Sequence, residues 1–271
     1  MEIIIAILVL GSLGLLFGLG LAVASKKFCV VVNPKLEKVL TCLPGANCGV
    51  CGKPGCMAFA QSLIKGEVSL DSCRAIEEKE KKKVAETLGV KLEKKVKQVA
   101  VLCCGGGKKV KERFQYNGLQ DCIAADMVLR GQKECVYGCL GFGTCAEVCP
   151  FDAISMSEEG LPVVDFEKCR ACGKCLEICP KGLFALIPVT GKVILACSSH
   201  EIGRNTREVC PVGCIACRKC EKVCPVDAIH LVDNLAVIDY NKCTSCGECV
   251  KACPVKCIIM FDAKLGREEI R

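Results

Sequence analysis

The chain has 271 residues, of which 28 are cysteine and none is Trp, and only 4% are aromatic against 51% hydrophobic. Length allows one to three domains, but so few aromatics exclude a large conventionally packed core. Cysteine at this density belongs to disulfide scaffolds or metal sites, and disulfide scaffolds are mostly short secreted chains. The formal charge of +7 counts every thiol as neutral.

From Ile3 to Ser25 no residue is charged, and these 23 positions are mostly Ile, Leu, Val, Ala and Gly. That run is long enough to span a bilayer. Ala22-Val23-Ala24 resembles a signal-peptide cleavage site, but Glu2 precedes the run without a base, the run is too long, and Lys26 and Lys27 follow it. Residues 1–25 are therefore expected to be an uncleaved, single-pass anchor. Lys26, Lys27, Lys35 and Lys38 place the soluble part on the cytoplasmic side of the membrane. A reducing compartment disfavours structural disulfides. Gly14 and Gly18 form a G-x-x-x-G pattern that would let another helix approach closely, or are simply the glycines usual in such helices.

Residues 26–80 are expected to form a small helical domain beside the membrane. Here Cys48, Cys51, Cys56 and Cys73 occur as C-x2-C-x4-C-x16-C in a Gly- and Pro-rich loop that can turn backbone amides toward cluster sulfurs. Spacing alone would suit zinc equally well; the motifs farther along tilt the reading to iron and sulfur. Residues 57–66 read as a short amphipathic helix ended by Gly66.

Residues 81–120 read as a basic connector. Between 74 and 114 there are 13 Lys or Arg against 6 Asp or Glu, so the whole formal excess lies there. Arg74 to Lys97 has helix-forming composition and reads as a solvated helical face, with an electrostatic guide for an acidic electron carrier as the alternative. Val99 to Leu102 predicts a short strand leading to Cys103, Cys104 and three glycines. Gly-Gly-Gly-Lys-Lys lacks the spacing and the Ser or Thr of a phosphate loop.

The rest predicts two tandem bacterial dicluster ferredoxin-like domains, 121–195 and 196–271, in an overall α+β fold. The run C-x2-C-x2-C-x3-C-P occurs at Cys169–Pro180, Cys214–Pro225 and Cys243–Pro254. In this motif three cysteines hold one cubane and the fourth, before proline, holds the other. A repeat of 75 residues aligns Cys139, Cys145 and Cys149 with Cys214, Cys220 and Cys224, and Asp152-Ala153-Ile154 with Asp227-Ala228-Ile229. The position matching Cys217 is Phe142, so one ligand is missing from the first copy.

Cys135 is expected to supply it, with Cys122 as the alternative. Cys122 and Cys197 also align, as do Cys135 and Cys210, and Cys122, Cys197 and Cys210 are expected to be small buried hydrophobes rather than an added metal or redox site. The expected ligand sets are then Cys48, Cys51, Cys56 and Cys73; Cys135, Cys139, Cys145 and Cys179; Cys149, Cys169, Cys172 and Cys175; Cys214, Cys217, Cys220 and Cys253; and Cys224, Cys243, Cys246 and Cys249. Five [4Fe–4S] clusters would use them. Cys29, Cys42, Cys103, Cys104 and Cys257 are left over, with Cys29 and Cys257 read as structural. Cluster loading at about −2 each would take the chain from +7 to roughly −3, so its basicity comes from counting thiols as neutral.

No G-x-G-x-x-G opens a helix, His200 and His230 sit in no metal or triad spacing, and the connector lacks the aromatics that nucleic-acid binding would want. Leu43-Pro44-Gly45-Ala46-Asn47-Cys48-Gly49 through Cys56, followed by Cys135-Val136-Tyr137-Gly138-Cys139-Leu140-Gly141 through Cys149, resembles the B subunit of the Rnf complex over essentially the whole chain. The second ferredoxin unit resembles the longer forms of that subunit. The resemblance implies a membrane-bound ferredoxin:NAD oxidoreductase that pumps sodium ions or protons. In it this chain takes electrons from soluble reduced ferredoxin and passes them to other membrane and peripheral subunits, which hold the flavin and NAD sites. Electrons are expected to enter at the distal ferredoxin unit and leave through Cys48, Cys51, Cys56 and Cys73. The related complex that reduces a redox-sensing transcription factor shares this architecture in a shorter form, and a zinc protein is the remaining alternative.

Overall fold

A computed structural model describes residues 2–27, 34–90, 92, 96–262 and 266–267; Cys29 lies outside them. The first helix, α1 (Glu2–Lys27), has 26 residues and ends on Lys26 and Lys27. At 1.5 Å per residue it reaches about 39 Å, more than the roughly 30 Å of a hydrocarbon core. Ile7–Lys27 is long and apolar enough to cross a membrane, and none of it is covered by the rest of the protein.

Three helices follow: α2 (Pro34–Cys42), α3 (Cys56–Ile64) and α4 (Glu78–Leu88). The apolar positions of α3 and α4 recur at helical spacing, and both helices pack against α2, so Phe59, Ala60 and Leu63 share one core with Val39, Val84 and Ala85 and with the following Leu70 and Ile76. Helix α4 stops at Gly89, whose φ of 69° places it in the left-handed region.

Next come β1 (Gln98–Leu102), α5 (Cys122–Met127), α6 (Thr144–Glu147), β2 (Ile154–Met156), β3 (Pro162–Val164), α7 (Lys174–Ile178) and β4 (Phe184–Pro188). Strand β1 pairs antiparallel with β4, Val99 opposite Ile187 and Leu102 opposite Phe184, while β2 pairs with β3. The second unit repeats the plan with β5 (Val193–Leu195), α8 (Gly203–Val209), α9 (Lys219–Lys222), β6 (Ile229–Val232), β7 (Leu235–Ile238), α10 (Glu248–Ala252), β8 (Ile258–Asp262) and β9 (Gly266–Arg267). There β5 pairs with β8 and β6 with β7. The two units share apolar contacts, for Phe166 meets Phe261 edge to face with ring centroids 4.6 Å apart.

The stretch 81–120, expected as a connector, contributes elements to the units on either side. Its first part belongs to α4, which crosses the expected boundary at residue 80 and packs into the membrane-proximal core. Its strand is buried in the first ferredoxin unit, with Val99 fully inaccessible. Local composition hid this because β1 finds its partner more than 80 residues later in the chain.

The register also revises the repeat. Cys103 N donates to Leu183 O, and Ala196 N donates to Cys257 O, both at 2.7 Å, immediately after the paired ends of β1 and β5. Cys104 is therefore the structural counterpart of Cys197, a role the 75-residue alignment had assigned to Cys122. Cys104 and Cys135 are 31 positions apart and Cys197 and Cys210 only 13, so the first copy carries 18 additional residues. Cys122 lies in that insertion.

Val99→Asp should cost several kcal/mol by burying an unpaired charge and lower the midpoint at which heat or denaturant bleaches the visible absorbance. A midpoint unchanged from wild type would return the strand to the status of a linker.

Candidate iron–sulfur centres

In the first site, Asn47 sits in the left-handed region and its Oδ1 accepts the N–H of Cys56 at 2.8 Å, fixing the loop to the start of α3. Gly55 is required there, since a Cβ would lie 2.9 Å from that same oxygen. The resulting cavity is lined by Cys48, Cys51, Cys56 and Cys73 together with Asn47 and Phe59. Burial pushes the Cys73 thiol up, while N–H groups of Ala75 and Ile76 donate to its sulfur.

The ferredoxin motifs share a local device. Between successive cysteines the backbone turns left-handed twice, at Ala171 and Gly173, at Ala216 and Arg218, and at Ser245 and Gly247. A residue with a Cβ costs about 1–2 kcal/mol in that conformation. The strain turns amides inward: Lys174 N–H donates to Cys172 and Ala216 N–H to Cys214. The cysteine before each proline is treated likewise, with Cys149, Cys179 and Cys224 accepting from Ala153 at 3.4 Å, Leu183 at 3.5 Å and Ala228 at 3.2 Å. Such donors stabilise thiolate and tune a bound cluster.

Cysteines of different motifs share cavities. One cavity holds Cys149 with Cys169, Cys172 and Cys175, and Cys169 accepts Ala100 N–H of β1 at 3.5 Å. In the second unit a cavity holds Cys253 with Cys214, Cys217 and Cys220. Burial pushes the Cys249 thiol up, and the thiols of Cys243, Cys246 and Cys220 lie close enough to add to that push.

Around the incomplete set of the first copy, the cavity brings in Cys122, the alternative to Cys135. Gly141 and Gly143 keep the two left-handed turns although Phe142 replaces the cysteine, and Gly141 N–H donates to Cys139. The cavity they border is lined by Cys139, Cys145, Cys179 and Cys122. Asp121 places Cys122: it caps α5 through Ala124 N at 2.8 Å and accepts Thr144 Oγ1 at 2.9 Å, while Thr144 Oγ1 accepts Cys122 N at 2.8 Å. These bonds, led by the one from Ala124, hold the Asp121 carboxyl below its usual range. Cys135 does not border this cavity, and its thiol faces Cys104 and Cys210 instead. The sign that could have shown this in the sequence is the insertion itself, which supplies a cysteine only to the copy that lacks one.

Burial, reinforced by neighbouring thiols, pushes Cys145 and Cys175 up to about 12. Such thiols need a cation among them to deprotonate. Four sulfurs around each apolar cavity with amides aimed at them suit a cubane.

Other cysteines take supporting places. Cys257, read as structural, donates its S–H toward both Cys214 and Cys253, drawing those thiols down to about 6 and about 5. Cys42 hydrogen-bonds the Glu80 carboxylate. His200 and His230 are exposed.

Cys122→Ser should remove about four irons per chain, the content of one cubane, measured by anaerobic iron analysis; full iron retention would return the fourth position to Cys135. Cys257→Leu should keep the iron but lower the midpoint potential of one cluster in an EPR titration, because it loses sulfur hydrogen bonds; an unchanged potential would leave Cys257 as packing.

Comparison with known families agrees with this geometry. Residues 43–75 match a family described as "Putative Fe-S cluster", and residues 134–183 and 213–257 each match the 4Fe-4S dicluster domain family. The chain is 46% identical over 243 residues, covering 89% of it and 73% of the relative, to the B subunit of the Na(+)-translocating ferredoxin:NAD(+) oxidoreductase complex of Acetobacterium woodii. It is 41% identical to the B subunit of the ion-translocating oxidoreductase complex of Methanosarcina acetivorans, covering 88% of this chain and 90% of that one. The B subunit of the proton-translocating ferredoxin:NAD(+) oxidoreductase complex of Clostridium ljungdahlii is 40% identical, with 89% and 86% covered. A membrane-anchor helix, an Fe–S loop domain and two dicluster ferredoxin units in this order, with these relatives, show that the chain belongs to the B-subunit family of the Rnf complexes.

Proposed function

We propose that this chain is a membrane-anchored electron relay of an ion-translocating ferredoxin:NAD oxidoreductase complex. It takes electrons from soluble reduced ferredoxin on the cytoplasmic side and delivers them to membrane partners, while flavin and NAD reside in other subunits. The cavities of Cys48, Cys51, Cys56 and Cys73, of Cys122, Cys139, Cys145 and Cys179, of Cys149, Cys169, Cys172 and Cys175, and of Cys214, Cys217, Cys220 and Cys253, with the group of Cys224, Cys243, Cys246 and Cys249, would hold [4Fe–4S] clusters. Bound there, a [4Fe–4S] cluster supplies a one-electron couple whose potential the surrounding protein sets.

The observation that carries this reading is the succession of sulfur arrays. Cys48 of the membrane-proximal loop interacts electrostatically with Cys172, Cys145 with Cys175, and Cys220 with Cys249. Arg170 pairs with Glu77 and so docks the membrane-proximal domain against the first ferredoxin unit. Lys181 lines the Cys122 cavity and keeps its ammonium almost fully buried, paired with Asp126 at 2.6 Å. The apolar linings keep water from the buried sulfurs of Cys145, Cys169, Cys172 and Cys175.

Cys48→Ser combined with Cys51→Ser should abolish electron delivery to the membrane partners while ferredoxin still reduces the remaining centres, followed as bleaching of the visible absorbance. Loss of that bleaching as well would place the entry point at the membrane-proximal loop. Anaerobic analysis should find at least about twenty irons per chain, four for each of five clusters; a colourless, zinc-dominated preparation would overturn the reading.

A further inference from the structure

Four cysteines outside these sets converge where the two ferredoxin units meet. Cys104, Cys197 and Cys210 are more than nine-tenths buried, and Cys135 is half-buried beside them. A Cβ on Gly106 would lie 3.5 Å from Cys210 Sγ and 3.9 Å from Cys104 Sγ, so both sulfurs face that glycine, whose lack of a side chain is required by Val110 Cγ2, 2.6 Å from the same point. The Cys135 thiol interacts with Cys104 and Cys210, and the Cys210 thiol with Cys104 and Cys197.

We propose that Cys104, Cys135, Cys197 and Cys210 form a sixth [4Fe–4S] site that bridges the two units. The proposal rests on the reading of the other arrays as cluster sites. Its first support is symmetry. Cys104 and Cys197 follow the paired ends of β1 and β5 by the same two residues. Cys135 and Cys210 each stand four residues before Cys139 and Cys214, which line equivalent cavities. Each copy thus contributes the same two positions to one shared place.

The second support is the treatment of the sulfurs. Cys135, Cys197 and Cys210 accept the N–H of the residue two places on, namely Tyr137, Ser199 and Val212. Cys139, Cys172 and Cys214 accept from Gly141, Lys174 and Ala216 in the same way. Buried cysteines serving only as small hydrophobes need no such donors. Cys197 accepts a further N–H from Cys214 at 3.2 Å.

Position supplies the third support. Cys104 interacts with Cys139 of the first unit, and Cys197 with Cys214 of the second, so the array lies between the two cavities that those cysteines border. The junction is closed by Ser198 Oγ donating to Cys103 O at 2.8 Å and by Tyr137 packing edge-on against His200. Loading is a ligand exchange without net oxidation: each sulfur bonds one iron of a preformed [4Fe–4S] core as the donor thiolate that iron carried leaves, and the proton the cysteine thiol gives up goes to that departing thiolate.

The test is native mass spectrometry of the full chain, produced anaerobically in detergent, with iron, sulfide and zinc analysis. The expected result is six clusters, about 24 irons at four per cluster, falling by about four in the variant Cys135→Ser/Cys210→Ser while the other clusters remain. Five clusters in wild type with no loss in the variant would overturn the sixth site alone. One zinc per chain lost in the variant, or a disulfide among these cysteines in the anaerobic protein, would also overturn it. Fewer than five clusters in wild type would overturn both this site and the proposed set of five. If the variant does not fold, the wild-type cluster count decides.

Discussion

Thiols packed side by side in an apolar interior resist ionisation, because burial and mutual repulsion both oppose the thiolate. The pushed-up thiols of Cys145 and Cys175 show how strong that resistance is. The fold answers it with two devices. Backbone amides are aimed at the sulfurs from strained left-handed turns, and the sulfurs are spread around cavities that a polynuclear cation would fill. Short strands and helices of four or five residues could not hold such hollows by apolar packing alone. With few aromatics available, the cavities take the place that large side chains occupy in ordinary cores.

Much of this was legible in the cysteine spacing, because a motif of three cysteines within seven residues constrains one local loop. Cys169, Cys172 and Cys175 are a case in which spacing and cavity agree. Non-local relations were not legible. Strand β1 looked like part of a charged linker because its partner β4 is remote in sequence, and only pairing brings Ala100 against Cys169. Cys122 stands second to Cys135 in the sequence because proximity along the chain favours the nearer thiol. The Asp121–Thr144 contacts that carry Cys122 to the cavity join residues more than 20 positions apart.

The two copies have diverged around a constant backbone. Gly141 and Gly143 preserve the conformation that Ala216 and Arg218 hold in the other copy, although Phe142 has no sulfur. The loop geometry is thus independent of its middle cysteine, and an insertion could take over that ligand without rebuilding the turn. The second copy differs through Cys257, at the place where the first has Leu183, which gives the Cys214 cavity an S–H donor that its counterpart lacks.

The crossing of ligands also bears on how the protein fails. Cys179 reaches back to the Cys139 cavity and Cys149 reaches forward to the Cys172 cavity, so each half of the unit is stapled by a sulfur belonging to the other. Damage by oxygen at either cavity frees a segment that anchors its neighbour. Inactivation would then proceed by whole ferredoxin units rather than by single centres, and a chain short of iron would present a loosened half to cellular proteases instead of persisting as a partly loaded carrier.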